Sequence, residues 1–283
     1  MKIDSIEYYW VRMPLIYPFR TAFGNDAYVE SLLVRMASGA IEGWGESSPW
    51  EKPAYSPEFA GGSFIVIDRF LAPLIIGKDI VSGQQLQDEM DIIKGNQFAK
   101  AALDTAWWDL HAKILGKPLW KLIGGKCNIV DVGADFGVME SIDLLLEEIL
   151  EAIQQGFKRI KLKYRPGWEL NMISRVRKEF PNTVFHVDCN SAYTWKDIEM
   201  LKALDDFNLA MIEQPLDYDD LIDHSKLQKI LKTPICLDES INSFNRARQA
   251  LEIGACGYIN IKPGRVGGIG DNSRVLALLG KSA

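Results

Sequence analysis

The chain has little cysteine and histidine, and neither is arranged for metal or redox chemistry. Four cysteines and three histidines occur in 283 residues. Cys127, Cys189, Cys236 and Cys256 are scattered with no Cys-x-x-Cys among them. That pattern argues against structural zinc and a disulfide framework, and buried thiols in a reducing compartment are expected. His111, His186 and His224 show no metal-binding spacing and are read as structural. No apolar run approaches the roughly eighteen residues of a membrane span, so no membrane partner is expected. The amino terminus, MKIDSIEYYW, lacks the apolar core of a signal peptide, which makes the cytoplasm the default location. Basic residues form no block and the net charge is −6, so no nucleic-acid partner is expected.

What is present divides at the GGK of residues 124–126. Residues 1–125 read as an α+β domain. Ile3 to Arg12 and Glu30 to Met36 are strands by their Val, Ile, Leu and Tyr content, and Ser38-Gly39 turns the chain into AIEGWGE. Two loops punctuated by Pro or Gly, PLIYPFRTAFGN and ESSPWEKPAYSP, carry aromatics, and the first carries Arg20. Aromatics on such loops suit a lid over a ligand and equally suit packing beneath the loop. AKAALDTAWWDLHAKILG then has helical periodicity and a Gly116 stop.

Residues 126–283 alternate apolar strands with amphipathic helices. VDVGADFG, RIKLKY, TVFHVDCN, LAMIEQPL, PICLDES and YINIKP are six strands with a helix between each pair. The alternation predicts an α/β domain with a parallel sheet, closed or doubly wound. Polar residues end these strands: Lys161 and Lys163, Asp188, Glu213, Asp238 and Lys262. The steps from 163 to 188, 213 and 238 are equal, and the step to 262 is one residue shorter. Repeats of constant length return each residue to the same height, so Lys, Asp, Glu, Asp and Lys are expected side by side on one carboxyl-terminal rim. A single acid there would be an ordinary helix cap. Three in register between two lysines exceed what capping requires. Carboxylates without Cys or His partners select Mg²⁺ or Mn²⁺. The lysines, beside a cation and shielded from water, are candidate bases, with Lys161 as a fixed positive charge on the same side as Lys163. Such a rim suits abstraction of a proton next to a carboxylate, followed by reprotonation or by loss of a β-leaving group.

The segments PFRTAFG, GNQFAKAALDTAWWDL, RIKLKYRPGWE, VDCNSAYT, MIEQPL, TPICLDESI and NIKPGRVGG, spread over residues 18–268, resemble the enolase superfamily. The likeness is to the muconate-lactonizing-enzyme subgroup, with a lysine on each side of the metal. Within it, the chain resembles the o-succinylbenzoate synthase and N-acylamino acid racemase group. The resemblance implies an enolase-like (β/α) barrel with an N-terminal α+β capping domain, and a small-molecule carboxylate as substrate. It implies Asp188, Glu213 and Asp238 as Mg²⁺ ligands, Lys163 and Lys262 as acid/base residues, and Lys161 assisting. Asn190 and Gln214 would stand behind the ligands, Arg265 behind Lys262, and Arg20 near the substrate. Dehydration to o-succinylbenzoate, a step of menaquinone biosynthesis, is the expected activity, with N-acylamino acid racemisation on the same site as the alternative.

The likeness fades after Gly268, at IGDNSRVLALLGKSA. Six strands are read where such a barrel has eight, so a barrel truncated after the sixth strand is expected, with exposed edges that favour self-association into a homo-oligomer. A truncated, non-catalytic remnant is therefore a further reading. A lysine ending a sixth strand also suits Schiff-base chemistry, which would leave the three carboxylates idle.

Overall fold

The structure, a computed structural model, describes residues 1–20, 24–127 and 129–270. The divergent stretch from Asp271 onward lies outside the described residues, as do residues 21–23 of the PFRTAFG segment. An antiparallel sheet of β1 (Ser5–Arg20), β2 (Asn25–Ser38) and β3 (Ile41–Ser47) opens the chain. β1 and β2 run further than their composition predicts. The pairing continues through the proline-bearing segment expected to be a loop, and the register breaks between Pro14 and Phe19. Pro has no N–H to give, and the slip accommodates that loss.

Two helices follow a helical run over residues 60–75: α1 (Gly83–Met90) and α2 (Gln97–Ile114). Helix α2 lies directly on β3, and glycines at alternate positions of EGWGE make this possible. A Cβ on Gly45 would lie 2.1 Å from the Ala102 carbonyl oxygen, and one on Gly43 would lie 2.3 Å from that of Ala106. Ala99, Ala102 and Ala106 answer from the helix side and are fully buried. This core also takes in Ile3, Leu32, Val34, Met36 and Trp107.

The second core belongs to six parallel strands in simple order: β4 (Ala134–Phe136), β5 (Arg159–Lys163), β6 (Val184–Asp188), β7 (Ile212–Glu213), β8 (Ile235–Leu237) and β9 (Tyr258–Ile259). Helices α3 (Ile142–Gln154), α4 (Leu170–Glu179), α5 (Ile198–Ala203), α6 (Leu221–Ile230) and α7 (Phe244–Glu252) separate them. Their apolar stripes face the sheet, as with Leu145, Ile149 and Ala152 on α3 and Met172, Ile173 and Val176 on α4. Each such aliphatic side chain stabilises the fold by roughly 1.5–3 kcal/mol. Side-chain caps start α3, α6 and α7: Ser141, Asp220 and Ser243 accept from the backbone N–H three residues on. The described residues thus form a β/α layer of six parallel strands beside a three-stranded antiparallel sheet. Of the cysteines, Cys189, Cys236 and Cys256 are buried thiols, whereas Cys127 is exposed, contrary to expectation. No described helix is long and apolar enough to cross a membrane.

One contact fixes a capping loop over the rim, and another joins the capping part to the segment that follows the rim. The Glu58 carboxylate accepts the Gln97 and Phe98 N–H groups at 2.7 and 2.9 Å, fastening the loop of residues 48–59 to the start of α2. Asp104, fully buried on α2, accepts from Gln87 Nε2 at 2.7 Å and from the Ile269 N–H at 2.6 Å. It therefore holds the chain segment just past Lys262.

Candidate active site

Parallel pairing sets Lys163 opposite Asp188 and Asp188 opposite Glu213, so three of the equally spaced rim residues do share one height. The next step differs. Glu213 pairs with Cys236, and Cys236 with Tyr258. Asp238 thus lies two residues beyond that level, just past the end of β8, and Lys262 four residues beyond it, past the end of β9. The stagger of strands in a curved β/α sheet produces this offset. Each displacement is an even number, which keeps side chains on one side wherever the chain stays extended, as it does at Lys262, and Lys262 and Asp238 remain paired there.

The three carboxylates are almost wholly buried, with Asp188 and Glu213 1% and Asp238 0% exposed. Cations meet them directly. Lys161 Nζ lies 2.9 Å from both Asp188 and Glu213. Lys163 Nζ donates to Asp188 Oδ2 at 2.7 Å and to Asn190 Oδ1 at 3.0 Å. Lys262 Nζ donates to Asp238 Oδ2 at 2.7 Å, and Arg265 lies 2.7 Å from Asp238 Oδ1. Burial alone would raise the carboxyl pKa values. Lys163 and Lys161 outweigh it at Asp188, and Arg265 and Lys262 do so at Asp238, so both are held below their ordinary range. Burial likewise opposes the charge on Lys161, and Asp188 and Glu213 outweigh it, so the ammonium is held well above its usual range. At Glu239 the compensation from Lys262 and the Asn190 amide falls short. Burial, then Asp238 and Asp188, push it up to about 8.

Backbone geometry supports the ligand residues. Asn190 and Gln214 follow Asp188 and Glu213 closely and both have positive φ, 44° and 39°. Such strain in non-glycine residues persists only where neighbours impose it. Asn190 gives its N–H to Asp188 Oδ1 and its amide to Asp188 Oδ2 and Glu239. Gln214 does not reach the cavity; its Oε1 accepts the Asp238 and Ser240 N–H groups and so fixes the loop carrying Asp238. Arg265 also binds the Ile241 and Asn260 carbonyls. Arg20 is not brought to the rim: its guanidinium faces Glu140 at 3.5 Å.

Above the rim lies a cavity of about 750 Å³, lined by Lys161, Lys163, Asn190, Asn260 and Lys262 from below and by Phe19, Trp50 and Tyr55 from the capping part. Trp50, with φ 76°, stacks on Phe19 at 6.3 Å. Of these, Asn260, which donates to Glu213 Oε1 at 2.8 Å, and Tyr55 were not singled out by sequence reasoning. Asn260 had a usable signal, lying two residues before Lys262 on the same strand face. Tyr55 had none beyond being an aromatic on a loop. Its hydroxyl accepts from Lys262 Nζ at 2.9 Å and from Arg265, and donates to Asp238 Oδ2 at 3.3 Å.

The donor set fits a hard divalent cation in chemistry. It offers oxygen only, from buried carboxylates at the ends of three adjacent strands, and Glu239 Oε2 beside them is buried without a hydrogen bond. Among the described residues, no three Asp, Glu, His or Cys side chains converge on one point as they stand, because each rim acid is turned to an ammonium or guanidinium group.

Comparison with known proteins places this geometry. Residues 5–124 match the mandelate racemase / muconate lactonizing enzyme N-terminal domain, and residues 144–281 match the enolase C-terminal domain-like family. The chain is 45% identical over 275 residues to an o-succinylbenzoate synthase of Geobacillus kaustophilus, covering 96% of this chain and 73% of that protein. It is 40% identical over 278 residues to an N-succinylamino acid racemase of Thermus thermophilus, covering 98% and 75%. A dipeptide epimerase from Cytophaga hutchinsonii, solved with Mg and the dipeptide D-Ala-L-Val, superposes with a TM-score of 0.90 at 26% identity, covering 100% of this chain and 77% of that one. With both of its parts matched in order and a relative this similar along nearly its whole length, the chain belongs to the enolase superfamily.

Proposed function

We propose that this chain catalyses Mg²⁺-dependent removal of a proton α to a carboxylate, with dehydration to o-succinylbenzoate as its reaction. The observation that carries the reading is the pair of lysines, Lys163 and Lys262, on strands β5 and at the end of β9, each tied to a rim acid and both lining one cavity. Asp188, Glu213 and Asp238 would hold the cation, which supplies Lewis acidity toward the substrate carboxylate and acidifies the neighbouring C–H. One lysine accepts that proton at Nζ. Lys161, fixed between Asp188 and Glu213, keeps positive charge beside the developing negative charge. The β-hydroxyl then departs as water, with the proton that the lysine accepted making up the balance, so that net loss of water completes dehydration. The capping aromatics Phe19, Trp50 and Tyr55 cover the apolar part of the substrate and exclude water.

A second reading, racemisation of N-acylamino acids, is favoured by the same two lysines, since a proton taken on one side can be returned from the other. Relatives with both activities support the pair of readings. The test is product formation from the hydroxycyclohexadiene carboxylate that yields o-succinylbenzoate on losing water. Alongside it, exchange of the α-hydrogen of each N-succinyl amino acid enantiomer is followed in deuterium oxide. Lys163→Ala and Lys262→Ala should each abolish racemisation while retaining exchange from one enantiomer only, a different one in each variant. Equal exchange from both enantiomers in both variants would refute a two-base site.

A further inference from the structure

The two lysines are pinned by equivalent means but from different parts of the chain. An ammonium nitrogen has three N–H directions at tetrahedral angles, so fixing two of them fixes the third. Lys163 Nζ has one direction on a carboxylate, Asp188 Oδ2 at 2.7 Å, and one on a neutral acceptor, Asn190 Oδ1 at 3.0 Å. Lys262 Nζ likewise has one on a carboxylate, Asp238 Oδ2 at 2.7 Å, and one on a neutral acceptor, the Tyr55 hydroxyl at 2.9 Å. Both lysines line one cavity. For Lys163, both anchors come from the end of the neighbouring strand and the turn that follows it. For Lys262, the neutral anchor comes from 207 residues away, on the capping loop.

Packing makes the second case more dependent on its anchor. The Lys163 side chain is 8% exposed, so its walls restrict it, whereas that of Lys262 is 42% exposed. The Tyr55 ring also covers Lys262 Nζ at 4.9 Å from its centroid, while at Lys163 the capping residue Phe19 offers a ring face at 5.6 Å, and phenylalanine has no acceptor oxygen. The loop bearing Tyr55 is itself fastened to α2 through Glu58.

We propose that Tyr55 is a positioning residue for Lys262, so that the capping loop aims one of the two lysines and leaves the other independent. The role is the counterpart of Asn190 at Lys163. The inference rests on the two-lysine reading of the site and adds that its two faces are controlled separately. When the loop is seated, both faces transfer protons; with Tyr55 withdrawn, only the Lys163 face does.

Tyr55→Phe tests this, because it removes the hydroxyl and keeps the ring that packs in the loop. Crystal structures of the parent and variant chains provide an arm that needs no turnover. Lys262 Nζ should leave its place beside Asp238 Oδ2 or spread over several rotamers, with Lys163 unmoved. Lys262 equally ordered in an unchanged place would overturn the proposal. In deuterium oxide with N-succinyl amino acids, the variant should lose about tenfold or more of the exchange that depends on Lys262, the scale of one hydrogen bond to a charged group. Exchange that depends on Lys163 should change by less than about twofold, on the same scale. In a Lys262→Ala background, Tyr55→Phe should cost nothing further. Equal losses on both faces, or none, would overturn the proposal, and an unchanged melting temperature separates either result from misfolding. Exchange from neither enantiomer in the parent chain would instead sink the two-lysine reading, and the crystallographic arm would still decide whether Tyr55 places Lys262.

Discussion

At the scale of single residues, the rim is a set of buried charges in which no acid can be changed without stranding a cation. Glu213 shows this most clearly, because Lys161, Asn260 and, at 3.6 Å, His186 all turn to it. Glu213→Gln keeps the shape and removes the charge. Isothermal calorimetry should show Mg²⁺ affinity falling by roughly tenfold or more, as expected for loss of one anionic oxygen ligand. Affinity equal to that of the parent would remove Glu213 from the proposed ligand set. The residue types at this site were legible in the sequence because acids and lysines recurring at the ends of equally spaced strands are more than helix capping needs. Tyr55 was illegible, since nothing local in ESSPWEKPAYSP shows which aromatic points inward. Arg20 was placed near the substrate by a motif-like segment, and its side chain lies 3.5 Å from Glu140.

At the scale of elements, helix α2 and strand β3 touch through glycine, and this contact supports the helix that the capping loop is fastened to. Gly45→Ala would place a methyl 2.1 Å from the Ala102 carbonyl oxygen and 2.5 Å from Thr105 Oγ1, so sheet and helix must separate. The expected cost is about 1–3 kcal/mol, read as a lowered midpoint in urea unfolding. A midpoint equal to the parent's would mean that the interface is looser than these distances describe. The helix and the six strands were readable from periodicity and apolar runs, which depend on nearby sequence alone. The extension of β1 to Arg20 was not, because Pro14 and Pro18 read as loop signals and only pairing with β2 overrides them. Register was readable halfway. Equal spacing placed Lys163, Asp188 and Glu213 together, but strand stagger is a property of the assembled sheet and moved Asp238 and Lys262 outward.

At the scale of the whole molecule, stability should respond to mild acid through a residue outside the site. His224 is fully buried on α6, accepting the Leu216 N–H at Nε2 and facing the Asp220 carbonyl through Nδ1. Burial, only partly offset by Asp220 and its acidic neighbours, lowers its pKa. The folded state therefore binds this proton less readily than the unfolded chain does. Its contribution is complete above the ordinary imidazole value of about 6.5 and is lost as pH falls below that toward the lower folded value. Melting temperatures between pH 7.5 and 5 should fall more steeply for the parent than for His224→Gln, which cannot titrate. Parallel curves would show that His224 contributes nothing to the acid limb.

The even displacements along β8 and β9 carry a consequence for how this sequence can change. A strand presents alternate residues to opposite sides, so each rim residue has a parity as well as a position. Asp238 is two residues past the partner of Glu213, and Asn260 and Lys262 are two and four past the partner of Cys236. Shifts by two would slide these groups along the cavity wall, whereas a shift by one would turn Asp238 or Lys262 into the apolar layer beneath the helices. Insertions between strands, in the loops that end α6 or α7, leave parity untouched at any length. The constant spacing of the rim residues is thus not itself required, and what each strand must keep is the parity and the height of its own rim residue.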